Sequence, residues 1–145
     1  MLSAIDIAKY ILSKSQPEDG DIISNLKLQK MLYYSQGFHL AIHKKPLFSD
    51  EISHWNHGPV VPTVYAIYQK YAASALPIPD DFDVSVVGND AKMVIDEVLE
   101  VYGQFSAWKL SRVTHEEPPW ANTEDKEIIS VEQMKQYFVT QLIAP

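Results

Sequence analysis

His54 and His57 stand three residues apart, and His115 is followed directly by Glu116 and Glu117. Imidazoles and carboxylates are what a metal-assisted hydrolase uses, with three or four ligands closing on one ion. His54, His57, His115 and Glu116 are therefore the set to weigh for such an enzyme. The H-E-x-x-H spacing of metalloproteases is absent and no other ligand spacing matches, so hydrogen-bonded or surface histidines are the plainer reading, for these and for His39 and His43. Thr114-His115-Glu116-Glu117 sets a hydroxyl, an imidazole and carboxylates side by side. Neighbours on a helix point around different faces, and a triad is defined by geometry. A helix C-terminus, with His115 near the free carbonyls, accounts for that run. The chain has no cysteine and no G-x-S-x-G elbow, and its five glycines form neither G-x-G-x-x-G nor a G-K-[ST] loop. No catalytic, cofactor-binding or metal-ligating residue is assigned, and no cofactor is expected.

Charge narrows the partners. The net charge is −7, and of 12 basic residues only Arg112 is arginine. Base readout and phosphate contact depend on clustered cations, with arginine favoured for its planar fork. A DNA-binding regulator is accordingly a third and weaker reading. Lys27 and Lys30, with Lys44 and Lys45, form the one basic cluster, which reads as a solvated face of a helix. The sequence holds eight Tyr, five Phe and three Trp, more than a small core needs. Tyrosine and tryptophan favour protein interfaces, so an acidic, aromatic binding domain is the positive signal. Tyr33 and Tyr34 are adjacent, which sends them in different directions and brings one of them toward the surface.

The elements that would position these residues are mostly helices. At 145 residues the chain has the length of one domain, 1–145, able to bury a core without disulfides or metals. The N-terminus lacks the pattern of a signal peptide, and no apolar run approaches the roughly 20 residues of a membrane span, so a cytoplasmic protein is expected. Ser3, Ser24, Ser106 and Ser130 each read as a helix N-cap between apolar residues, with Asp6 and Gln133 at the third position of the first and last. Helices are expected over Ala4–Lys14, Asn25–Lys44, Pro62–Tyr71, Asn89–Tyr102, Ala107–His115 and Val131–Ile143, with a turn at Glu18–Asp21. In the second, Leu28, Met31, Leu32, Ser35, Phe38 and Ile42 recur at helical spacing, and Gly37 suits a close approach by another element. The last helix turns Met134, Phe138 and Leu142 inward, and Gly103 serves as a C-terminal cap.

Between the second and third helices, Ile52–His57 reads as a short extended or β element. Gly58-Pro59 ends it, because a residue before proline leaves the α region. Gly58-Pro59-Val60-Val61-Pro62 then forms a rigid elbow with Trp55 beside it. Pro62 suits the first helical turn, and tertiary contacts replace the missing cap at Val61. Ser74–Gly88 reads as a loop with an extended piece near Val84–Val87. Thr123–Glu127 reads as a polar turn, and Trp120 packs back on the body. The fold class is mainly α: a compact domain of about six helices with one small extended or β element.

Two blocks carry a resemblance. Leu26, Leu28, Gln29, Lys30, Leu32, Tyr33, Tyr34, Gln36 and Gly37 follow L-x-L-Q-K-x-L-Y-Y-x-Q-G. Pro46-Leu47-Phe48 and then Trp55, Gly58, Pro59, Val60, Pro62, Val64 and Tyr65 continue it. Leu110, Thr114, His115, Glu117, Pro119 and Trp120 close the pattern. The chain so resembles the Panacea domain family of SocA-like and phage-associated proteins, with His57 a departure from the pattern. The resemblance implies an antitoxin, encoded beside a toxin that it neutralises by direct binding, with some relatives acting as adaptors that deliver a toxin to a AAA+ protease. It brings no catalytic residues. Gln29, Lys30, Tyr33, Tyr34, Trp55, His57, Gly58, Pro59, His115, Glu117 and Trp120 are the candidate partner-binding or signature residues.

Overall fold

A computed structural model describes residues 2–15 and 22–142. Its helices are α1 (Ala4–Ser13), α2 (Asn25–His43), α3 (Pro62–Tyr68), α4 (Asn89–Tyr102), α5 (Ala107–His115), the single turn α6 (Pro118–Ala121) and α7 (Val131–Val139). Strands β1 (Ile52–Trp55), β2 (Gly58–Val60) and β3 (Ile128–Ile129) form one antiparallel sheet in the order β2-β1-β3. The chain is mainly helical with a small sheet, as its sequence indicates. The expected turn at Glu18–Asp21 lies outside the described residues, and the last helix, expected to reach Ile143, ends at Val139.

All four serines cap helices. The hydroxyls of Ser24, Ser106 and Ser130 accept from the amides of Lys27, Lys109 and Gln133, and Asp6 accepts from the amide and hydroxyl of Ser3. The uncapped start of α3 is held from a distance: Gln29 Oε1 accepts the Val61 amide at 2.9 Å. Pro62 occupies the first turn of α3, where its missing N–H leaves no gap.

α2 is the axis. α1, α3, α4, α5, α7 and β2 all pack on it, and most of its residues are buried. Gly37 makes one of these approaches possible, since a Cβ there would overlap the Phe138 ring of α7. The core around α2 includes Ile7, Ile11, Leu28, Leu32, Phe48, Ile95 and Phe138.

The structure departs from the sequence reading at several points. Gly58-Pro59 does not end the extended element but opens a second strand. Asn56-His57 close a hairpin in which Trp55 pairs with Gly58 and His54 with Pro59. Proline is tolerated because β2 is an edge strand. Gly58 supplies the φ of 114° that the turn requires. The expected elbow is thus half hairpin. Val84–Val86 is a 3-10 turn and not an extended piece. Asp83 accepts from the Ser85 amide and hydroxyl, and this local capping outweighs the β preference of valine. Gly103 keeps a right-handed φ of −63° and so is no left-handed cap. β3 and α6, each under one and a half turns or two residue pairs long, were not expected. Ile42 and Leu142 face solvent at 49% and 41% exposure instead of the core, Leu142 because α7 stops at Val139.

Candidate functional site

The polar members of the L-x-L-Q-K-x-L-Y-Y-x-Q-G block project from α2 into the interior. Gln29 links three elements, donating to Asn25 Oδ1 at 2.9 Å while accepting the Val61 amide; Asn25 in turn donates to the Tyr65 carbonyl. Lys30 is fully buried and donates to the Pro59 carbonyl at 3.2 Å. Gln36 accepts from the Leu47 amide at 2.7 Å and donates to the Phe48 carbonyl at 2.8 Å, fixing the Pro46-Leu47-Phe48 segment. Tyr33 and Tyr34 donate to the two carboxylate oxygens of Glu117 at 2.9 and 2.8 Å. Both tyrosines are buried, so neither reaches the surface as adjacency suggested. Nor do Lys27 and Lys30 form a solvated face: Lys27 is buried too and donates to the Gly103 carbonyl at 2.6 Å.

Lys30 and Glu117 are ionisable groups deep in the fold. Burial lowers Lys30 from 10.5 to about 7, since a low-dielectric surrounding disfavours the ammonium. Burial raises Glu117 from 4.5 to about 7, against the opposing pull of the hydrogen bonds from Tyr34 and Tyr33. Burial, with the same carboxyl adding to it, pushes both phenols well above their ordinary range. Groups so perturbed often mark chemistry, but structural networks perturb them as well. Here every partner is a buried side chain or backbone carbonyl of the fold itself.

The late block clamps the hairpin turn. Trp120 Nε1 donates to the Trp55 carbonyl at 2.9 Å, His115 Nε2 to the Asn56 carbonyl at 2.8 Å, and Ser111 Oγ to the His57 carbonyl at 2.7 Å. Three successive carbonyls are thereby fixed by α5 and α6. His54 Nδ1 donates to the Trp120 carbonyl at 2.8 Å, and the rings of His54 and His115 both stack on the Trp120 indole. Trp55 meets Tyr65 edge-on. Trp120 does pack back on the body, as its place in the sequence suggests.

Gathered in this way, the histidines do not form the metal set weighed above. Among the described residues no group of three or more histidines and carboxylates is placed to hold an ion, so His54, His57, His115 and Glu116 do not converge as ligands. The ring nitrogens of His54 and His115 that point inward each serve a carbonyl. Thr114 is buried with its hydroxyl on the Ser111 carbonyl, and Glu116 is exposed, so Thr114, His115 and Glu116 face different ways. His39 donates to the Lys45 carbonyl and lies beside His43. Of the signature residues, Gln29, Lys30, Tyr33, Tyr34, Gly58, Pro59 and Glu117 are buried, Trp55, His115 and Trp120 are half-buried, and His57 is exposed. Gln36, Asn25 and Ser111 carry as much of this framework. Only Gln36 had a signal, through its place in the block.

The residues from Leu28 to Ala121, which take in both blocks except Leu26, match the family described as antitoxin SocA-like, Panacea domain. This chain belongs to that family. Antitoxin SocA of Caulobacter vibrioides (strain NA1000 / CB15N) is 33% identical to the Panacea chain over 125 residues, covering 79% of this chain and 66% of the relative. The chain thus spans just under two thirds of that relative's length. No solved structure matches it. In this Panacea chain the matched region contains the whole Gln29–Glu117 framework, whereas α7, packed against Gly37, follows it. No helix among the described residues is long and apolar enough to cross a membrane.

Proposed function

We propose that this chain is an antitoxin that acts in the cytoplasm, neutralising a cognate toxin protein by direct binding and without catalysis of its own. Membership of the antitoxin SocA-like family carries this reading. The side chains support it: the groups that suggested chemistry are engaged in holding α2, the hairpin and α5–α6 together. The signature residues then act as the frame beneath a partner-binding surface, with His57 exposed and Trp55, His115 and Trp120 half-buried. The net charge of −7 favours encounter with a basic partner through the long-range field, and disfavours DNA.

Co-expression with the protein encoded by the adjacent open reading frame tests the reading. Growth arrest caused by that protein alone should be relieved by this chain. Continued arrest with both proteins expressed would contradict it. The toxin's half-life in the rescued cells distinguishes two modes of neutralisation. An unchanged half-life indicates occlusion, and a shortened one indicates delivery to a AAA+ protease.

A further inference from the structure

Two side chains expected in the core are instead at the surface, and they share one groove. Ile42 near the end of α2, Met93 and Val101 of α4, and Leu142 beyond α7 line a depression of about 510 Å³, with Phe38 among the residues at its base. Met93 is 73% exposed, the most of any large apolar side chain described, and Val101 is 41% exposed. Asp90 and Glu97 also line the groove. They stand seven residues apart on α4, about 10 Å along its axis. The 14 residues of α4 give that side a length of about 20 Å, room for roughly four turns of a second helix.

We propose that this groove docks an amphipathic helix of the toxin. The helix lays its apolar side chains on Met93, Ile42, Val101 and Leu142, and presents two cationic side chains about two turns apart to Asp90 and Glu97. The proposal rests on the antitoxin reading and adds the site and the chemistry of the partner. The carboxylates select a basic helix over an acidic one, because like charges meeting across an interface oppose association. The apolar lining supplies the area from which water is removed on binding.

The test is a calorimetric titration of the purified chain with the purified protein from the adjacent open reading frame. Met93→Glu changes a side chain that packs little, so its thermal midpoint should match that of the parent. Its affinity should fall by about tenfold or more. The double variant Asp90→Lys/Glu97→Lys should also bind more weakly and lose the salt dependence of the parent complex. Trp108→Glu alters a residue that is 68% exposed on α5 and outside the groove, and should bind as the parent does. Parent-like affinity for both groove variants would overturn the groove and leave the antitoxin reading in place. Failure of the parent chain itself to bind would overturn both. Self-association of the parent that Met93→Glu abolishes and toxin does not displace would make the groove a contact between copies, and would also overturn the proposal.

Discussion

Lys30 and Glu117 have opposite effects on stability as pH changes. Folded Glu117 holds its proton up to about pH 7, while unfolded it releases it near 4.5. Its contribution is complete below pH 4.5 and lost as pH rises to about 7, at up to roughly 1.4 kcal/mol per unit. Folded Lys30 is lowered to about 7 against 10.5 unfolded, so its contribution is complete above 10.5 and lost as pH falls through 7. Together they place a stability minimum near pH 7. Urea unfolding across pH checks this directly. Glu117→Gln should flatten the limb from 4.5 to 7, and Lys30→Met the limb from 7 to 10.5; parental slopes in both variants would contradict the burial of these charges. Trp120→Phe is milder, because it keeps the stacking on His54 and His115 but leaves the Trp55 carbonyl without its donor. A loss of about 1 kcal/mol is expected by chemical denaturation. Residue identity alone did not reveal these roles. A lysine in a helix is usually solvated, and only the packing of β2 over α2 shows Lys30 to be inside.

At the scale of elements, what is local was legible and what is long-range was not. The serine caps set the starts of α1, α2, α5 and α7 by interactions within four residues, and all four were visible in the sequence. The hairpin was only half visible. Pro59 reads as a strand terminator until the sheet places it on an edge, and β3 exists only through pairing with Ile52 and Ser53 far upstream. Gly37 is the informative exception, since a glycine in mid-helix asks for a close neighbour and α7 provides one. Two effects compete on replacing it. Alanine improves helix propensity by up to about 1 kcal/mol, whereas overlap with the Phe138 ring costs roughly 1–3 kcal/mol. Gly37→Ala should therefore destabilise the protein, and adding Phe138→Leu should recover part of the loss in a double-mutant cycle. Greater stability of Gly37→Ala alone would show that α7 does not bear on that position.

For the whole molecule, the signature of the family is largely internal. In this chain it ties α2 to the hairpin and the hairpin to α5–α6. This is why the sequence indicated a family while leaving the groove unseen. Ile42 and Leu142 follow the helical spacing of the apolar residues, and their exposure comes from where α4 and the chain after α7 stand around α2. The acidic balance of the molecule belongs to the same scale, as a field that acts on a partner before contact. Direct binding of a toxin is the central claim, and native mass spectrometry of the purified chain mixed with the purified protein from the adjacent open reading frame tests it most directly. The expected result is a new species with the summed mass of the two proteins and depletion of both free forms. Two unassociated species at every mixing ratio would contradict it.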